Sequence, residues 1–357
     1  KKVRESNDAE QIKAAMESEY TKDNPQTWKL AADIEYQYYT KIENESKADP
    51  DNNELKKKYI ETSAKLLSYC IKYDSLLVLD TKMKPEDKDK EHKIYQPKGV
   101  NSAIQLLQAA QNYSNSENQE ELKQGAKYAE IFINAMENSN LMKDFKHAEL
   151  EGWKTYSKAF RAQSYLNIEG TPEETIVNAY KALFNTNFKG IAYQSLMNYY
   201  REKDKAKQNL YLQEGIDALK GDAEQKDLRA NFVTILMQNQ FQAGDKEGFM
   251  KTAEIMKTEF ADDENAVNAY LMEGQFAFEA KDYETAKKAF LAGSEKYPDD
   301  EKCLLMAARS AWMKAQTTGS KKEDMNEAIT LFKKLEAANP ESPELWGESL
   351  YVLYNNT

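Results

Sequence analysis

Along most of the chain apolar residues return every three or four positions, the period of an α-helix that turns one face to a core. From Lys281 to Pro298, "KDYETAKKAFLAGSEKYP", Ala286, Phe290, Gly293 and Tyr297 fall at steps of four, three and four. Just upstream, Ala266, Tyr270, Gly274 and Ala277 fall at steps of four, four and three. Each set is one stripe on a helix. Asp282 precedes the second helix and can accept bonds from its free N–H groups. Pro298 cannot continue the hydrogen-bond ladder and ends it. The short join at Ala280–Asp282 leaves room only for an antiparallel hairpin. A glycine inside a helix costs about 1 kcal/mol. Gly274 therefore predicts a close approach of the two backbones near Ala286, with Phe290 filling the seam beside them.

The same arrangement repeats. Ala286, Phe290 and Pro298 recur as Ala328, Phe332 and Pro340, with steps of four and eight in both. The helix before the second set, Asp300 to Lys314, carries Leu304, Ala307, Ala308 and Ala311, and a longer connection, Ala315–Asp324, is expected to follow it. After Pro340 a new helix is predicted over Ser342–Tyr354, with Pro343 suited to its first turn. Upstream, "QAGDKEGF" (Gln242–Phe249) parallels "EAKDYETA" (Glu279–Ala286), which predicts another hairpin between Asp227 and Phe260. Further back the style persists in Trp153–Phe160, Glu173–Phe184 and Thr27–Tyr39. By contrast, Asp80–Gly99 is charged, contains Pro85 and Pro97, and shows no apolar stripe, so it reads as a long exposed loop.

From Val267 to Asp300 the pattern resembles a tetratricopeptide repeat. That family's unit is about 34 residues long and carries an aromatic residue, then Gly or Ala, then Ala, Phe and Pro. Tyr270, Gly274, Ala286, Phe290 and Pro298 stand in those roles. Leu304, Ala308, Ala328, Phe332 and Pro340 follow in a longer second unit, and Trp346 opens a third. The resemblance implies an all-α fold, a right-handed α-α superhelix of stacked antiparallel hairpins. The expected layout is N-terminal hairpins with the loop over 1–97, degenerate hairpins over 98–229, and repeats over 230–357 (about 230–266, 267–300, 301–342 and a partial 343–357).

Composition supports helices. Only 13 glycines and 8 prolines punctuate 357 residues, too few for the many turns of a strand-rich fold. The formal net charge is −11, and phosphate binding needs clustered cations, so a nucleic-acid partner is not expected. Uninterrupted apolar runs such as Leu76–Leu79 are short, far below the length of a transmembrane segment. Cys70 and Cys303 form neither a disulfide framework nor a zinc pattern and read as buried small hydrophobes. The opening at Lys1-Lys2 fits either a removed leader or a trimmed start. Together with the lysine- and tyrosine-rich style, the expectation is an exported bacterial protein, periplasmic or outer-membrane associated, with its leader removed.

Candidate chemistry is sparse. His92 and His147 lack partners at metal-ligand spacing, and no Gly-x-Ser-x-Gly elbow accompanies them. "TTGSKK" (Thr317–Lys322) lacks the spaced glycines of a phosphate loop. In "DPDNNE" (Asp49–Glu54), Glu54 and Ile60 stand where a calcium loop needs glycine and glutamate. The acids before helices, such as Asp282 and Asp299-Asp300, read as caps. No cofactor, metal or catalytic set is expected, and the chain is expected not to be an enzyme.

The resemblance implies instead that the first helix of each unit lines a concave face holding a protein or peptide partner. The family's concave positions fall on Asn231 and Gln238, on Asn268, Gln275 and Phe278, on Lys302, Arg309 and Trp312, and on Tyr351 in the last half-unit. The amides could bond a peptide backbone. The aromatic row Phe241, Phe278, Trp312 and Tyr354 could supply anchors, or could be ordinary packing if the register is one residue off. The carboxylate-clamping set of some family members is not reproduced. A cell-surface or periplasmic binder of small molecules or glycans, using exposed aromatics, is the alternative; an α-helical hydrolase or transferase would need a closed pocket with a perturbed acid.

Overall fold

A computed structural model describes residues 9–319 and 321–355. The Lys1-Lys2 opening and Ser320 of the Thr317–Lys322 stretch lie outside them. Among the described residues the regular structure is entirely helical. The helices are α1 (Ala9–Glu17), α2 (Pro25–Ala48), α3 (Asn53–Leu79), α4 (Pro85–Tyr113), α5 (Gln119–Asn138), α6 (Leu150–Asn167), α7 (Glu173–Lys181) and α8 (Lys189–Tyr200). They continue with α9 (Lys205–Ala218), α10 (Lys226–Gln242), α11 (Lys246–Glu259), α12 (Val267–Glu279), α13 (Tyr283–Lys296), α14 (Glu301–Thr317), α15 (Lys322–Ala338) and α16 (Gly347–Asn355).

The chain divides into two compact units between Ala192 and Tyr193, within α8. Of the expected bounds, 97/98 falls inside α4 and 229/230 in the first turn of α10. In the first unit α2 to α7 pack each against the next, and α4 also touches α6. Its core gathers Leu66, Leu67, Tyr73, Tyr95, Leu106 and Phe132. A short 3-10 turn, Asn140–Met142, seals Leu141 and Met142 into that core. In the second unit α9 to α16 pack in sequence order, and α12 also touches α14. Each unit is thus a helical repeat array of neighbouring hairpins.

The hairpin α12–α13 forms where the spacing places it, joined through Ala280–Asp282. Asp282 accepts from Thr285 N at 3.1 Å, Asp300 caps α14 through Lys302 N at 3.0 Å, and Asp245 caps α11 through Gly248 N at 2.9 Å. Gly274 lies against the Phe290 ring, and Ala277, Ala286, Phe290 and Ala307 form one buried cluster. Gly244 (φ 70°) and Lys281 (φ 63°) end α10 and α12 in the left-handed region. In both turns the next residue's N–H returns to a carbonyl five back, Asp245 to Gln240 and Asp282 to Ala277, each at 2.9 Å. The parallel between "QAGD" and "EAKD" is therefore a shared helix end.

Two expectations change. The connection after α14 is short, because α14 runs to Thr317 and α15 begins at Lys322. Asp80–Gly99 is not a loop: from Pro85 it is the first half of the 29-residue helix α4. Pro85 suits a first turn, Glu86 and Asp87 oppose the helix dipole there, and Lys93 pairs with Asp89 at 2.6 Å one turn away. The buried stripe exists, but its upper members are polar. Tyr95 is buried with its hydroxyl donating to Asp33 at 2.6 Å, and Glu91 accepts from Lys29 Nζ and from the Tyr73 hydroxyl, both at 2.7 Å. Pro97 sits inside the helix at the cost of one backbone bond.

Candidate partner-binding groove

On α12, Asn268 and Gln275 are seven residues apart, close to two full turns, so they share a face. On α14, Lys302 and Arg309 share a face by the same spacing. Because α12 and α14 are neighbours, these four side chains meet around one cavity of about 440 Å³, floored by Leu271, Met272, Leu305 and Met306. Phe241, from the end of α10, closes one side. Gln275 donates to the Glu279 carboxylate at 2.8 Å through its amide nitrogen. Lys302 and Arg309 are exposed. The arrangement is an apolar floor between a row of amides and a row of cations, able to hold an apolar side chain below and polar groups above.

The remaining positions do not join it. Asn231 is exposed and Gln238 half-buried on α10, and neither lines the cavity. Phe278 packs edge-on against Tyr283, centroids 5.2 Å apart, beside the cluster inside its own hairpin. Trp312 packs edge-on to Phe332 at 6.1 Å, against the core of α14 and α15. Tyr351 is 71% exposed, and Tyr354 lies under the Lys333 ammonium at 5.4 Å. Phe241 itself meets Phe276 at 4.8 Å and Phe249 at 6.1 Å. The aromatic row is therefore mainly packing. Of it, only Phe241 reaches the groove.

Beneath the groove, α13 is tied to α14 and α15 by charge. Glu284 accepts from Lys287 and Lys314, both at 2.9 Å, and Lys314 also pairs with Asp324 at 3.3 Å. The hydrogen bond from Lys314, then that from Lys287, holds the Glu284 carboxyl down to about 2. Arg229 is buried on α10, donating Nε to the Ile216 carbonyl at 2.8 Å and Nη1 to Glu259 at 2.6 Å. These pairs fix the relative placement of the hairpins that carry the groove.

The first unit holds a cluster that the sequence spacing does not reveal. His92 lies on α4, not in a loop. Its Nδ1 is 2.6 Å from Asp74 of α3 and its Nε2 is 3.0 Å from Asp144, which follows the 3-10 turn. Asn140 also donates to the buried Asp74, at 2.7 Å, and Gln96 donates to Asp144 at 2.7 Å and to the Leu141 carbonyl at 2.9 Å. A neutral imidazole has one N–H and can serve only one of two carboxylates. Burial works to lower the His92 pKa, but the bonds to Asp74 and Asp144 outweigh it and raise it above the ordinary value. The partners lie 18 and 52 residues away, beyond any local motif. His147, by contrast, stacks on Trp153 at 4.3 Å. Cys70 and Cys303 are free, buried and in different units, with burial pushing each thiol up to about 12. No helix among the described residues is long and apolar enough to cross a membrane.

No protein-family profile matches the chain. No curated protein matches it either. Among solved structures, it is similar to the TPR domain of P58(IPK), at 15% identity and a TM-score of 0.28, covering 97% of this chain and 92% of that one. It is also similar to a circular tandem repeat protein with novel repeat topology, at 13% identity and a TM-score of 0.28, covering 93% and 90%. At these values the likenesses add nothing to what the hairpins display directly. With its small-residue seams, Asp caps and neighbour-to-neighbour packing, the chain is an all-α, tetratricopeptide-like helical repeat protein.

Proposed function

We propose that the protein is a non-enzymatic scaffold that holds a peptide or protein segment in the groove between α12 and α14. The observation that carries this reading is the meeting of Asn268, Gln275, Lys302 and Arg309 around one cavity with an apolar floor. Neighbouring helical hairpins generate such open grooves without further machinery, and a groove of amides, cations and methionines suits a polypeptide with exposed backbone groups and an apolar anchor. Methionines add an adaptable floor. The aromatic side chains that a stacked sugar would need are spent on hairpin seams at Phe278 and Trp312, which favours a polypeptide over a glycan.

Selection of a displayed random-peptide library on the full chain tests the proposal. Enriched peptides should bind the unaltered protein and lose binding when Gln275→Trp fills the groove mouth. Enriched peptides that bind the filled variant equally well would move the site elsewhere and sink the reading.

A further inference from the structure

We infer that Asn140–Asp144 is a proton-operated latch in the first unit: the imidazolium of His92 holds the segment against α4, and loss of that proton releases it and joins the two cavities it divides. The latch is independent of the groove, which belongs to the second unit.

The seat of the latch is a stripe on α4. His92, Gln96 and Gly99 fall at steps of four and three, so they share a face. Each receives part of the segment. His92 and Gln96 hold Asp144, and Gln96 also holds the Leu141 carbonyl. Gly99 receives the Leu141 side chain so closely that a Cβ there would lie 2.7 Å from Leu141 Cδ2. From α3, Asp74 accepts from Asn140 at 2.7 Å. The backbone bonds of the segment are local: Met142 N donates to Ser139 at 3.3 Å, Lys143 N to Asn140 at 3.2 Å and Phe145 N to Met142 at 3.2 Å. It can therefore swing out as one piece, giving up side-chain bonds and the burial of Leu141 and Met142. That burial keeps the closed form the majority at every pH, and the proton sets the size of the open minority.

The catch is the protonation of one ring. As an imidazolium, His92 donates Nδ1 to Asp74 at 2.6 Å and Nε2 to Asp144 at 3.0 Å. A neutral ring has a single N–H. Asp74 is buried away from water and keeps it, so Nε2 turns from donor to acceptor in front of a carboxylate. Gln96 Nε2, 3.1 Å from the ring nitrogen, then meets three acceptors with two N–H groups: the ring, Asp144 and the Leu141 carbonyl. Loss of one proton thus loosens both polar holds that α4 has on the segment. Burial works to lower the His92 pKa, and the bonds to Asp74 and Asp144 outweigh it, which places the release above about pH 6.5.

The other charges around the ring are engaged elsewhere or stand at the cavity rim. Lys88 and Asp89 of α4 and Lys143 of the segment line a cavity of about 440 Å³ together with His92, Asp74 and Asp144. Lys88 donates to the Val78 carbonyl at 3.1 Å, and Asp89 pairs with Lys93 at 2.6 Å. Glu91 binds Lys29 of α2. On the far side of the segment a second cavity, of about 590 Å³, carries Glu137 of α5 and Lys154 of α6, which pair with Lys158 and Glu151. Asn140 and Lys143 line both cavities, so the segment is the wall between them.

Thiol labelling of the full chain, read by mass spectrometry, tests the latch. Met142→Cys puts a reporter on the buried side of the segment, and Tyr20→Cys, at a residue 96% exposed, gives the intrinsic thiol rate at each pH. The native Cys70 and Cys303 are buried and report global opening. The ratio of opening constants above and below the titration equals the ratio of the His92 acid dissociation constants in the open and closed forms. Relative to the exposed control, labelling of the introduced thiol should rise about tenfold between about pH 5.5 and about pH 8.5, the worth of one hydrogen bond to a charged group. His92→Gln should flatten the profile at its alkaline level. Asp144→Asn, at an exposed position, should raise the acid rate and leave the alkaline rate nearly unchanged, a pattern that general destabilisation does not give. A flat profile in the reporter protein, the same rise in His92→Gln, or labelling of Cys70 in step with the reporter would overturn the latch.

Discussion

Gly274→Ala separates tertiary packing from helix propensity with a single methyl group. In an isolated helix the change is favourable by about 1 kcal/mol. In the α12–α13 seam the new Cβ would lie within 2.6 Å of Phe290 Cδ1 and Cζ, and closer still to Cε1. Carbon atoms in contact want about 3.5–4.0 Å, so ring or backbone must move by about 1 Å. The ring is fully buried among Ala277, Ala286 and Ala307, with Leu271, Leu291 and Met306 behind, so it has nowhere to retreat. Overpacking of this kind costs about 1–3 kcal/mol, and the tightness of the site points to the upper end. After the propensity gain, the net loss is about 2 kcal/mol. Phe290→Ala removes the obstacle at a cost of about 3–5 kcal/mol. In that background Gly274→Ala should become stabilising by about 1 kcal/mol, a coupling of about 3 kcal/mol between the two sites. Urea unfolding of the four members of the cycle, with amide exchange in α12 and α13 to localise the effect, measures it. A stabilising Gly274→Ala in the unaltered protein, or no coupling to Phe290, would refute the seam.

Three further outcomes follow from the same coordinates. Lys281→Gly should stabilise the second unit by about 1 kcal/mol in urea titration, because Lys281 adopts the left-handed conformation that glycine already supplies at Gly244; a loss would mean that its side chain contributes a contact. Arg229→Met leaves the Ile216 carbonyl and Glu259 without their donor and should cost about 2–3 kcal/mol, with Glu259→Gln in the same background recovering part of it. For His92 the folded pKa is raised, so its contribution is fully present below the unfolded value, about 6.5, and is lost as pH rises through the folded value. Amide exchange across Asn140–Asp144 should therefore speed up on alkalinisation above about pH 6.5, beyond the intrinsic rate, and His92→Gln should remove that extra dependence; an unchanged pH profile in His92→Gln would sink the bridging role.

The hairpins of the second unit were readable because their contacts are local and made by size. Gly274, Ala286 and Phe290 sit at helical spacing within one pair of helices, and Asp282 and Asp300 stand where caps must stand. The groove was readable in half. A spacing of seven keeps Asn268 with Gln275, and Lys302 with Arg309, on one face. Three residues further the helix has turned by about 300°, so Phe278 and Trp312 stand about 60° round and face their own hairpin partners. Asn231 and Gln238 share the spacing, but their helix sends only Phe241 into the cavity.

The first half of α4 was lost for the opposite reason. Hydrophobic periodicity finds a buried face only when that face is apolar. Here it carries the half-buried Glu91 and His92 and the buried Tyr95, whose polar ends meet Lys29, Asp74 and Asp33 from other helices. Each partner lies 18 to 62 residues away, so no window along the chain contains both halves of a pair. A stripe of charged residues with each charge matched elsewhere is indistinguishable, in one dimension, from a solvated loop. The two differ in consequence. Substituting an exposed charge usually changes little, whereas truncating Glu91 or His92 takes a hydrogen-bond partner from the buried Tyr73 or Asp74. Glu91→Ala would strip an acceptor from both Lys29 and Tyr73 at once, so the segment with the most loop-like sequence is among the least tolerant of substitution.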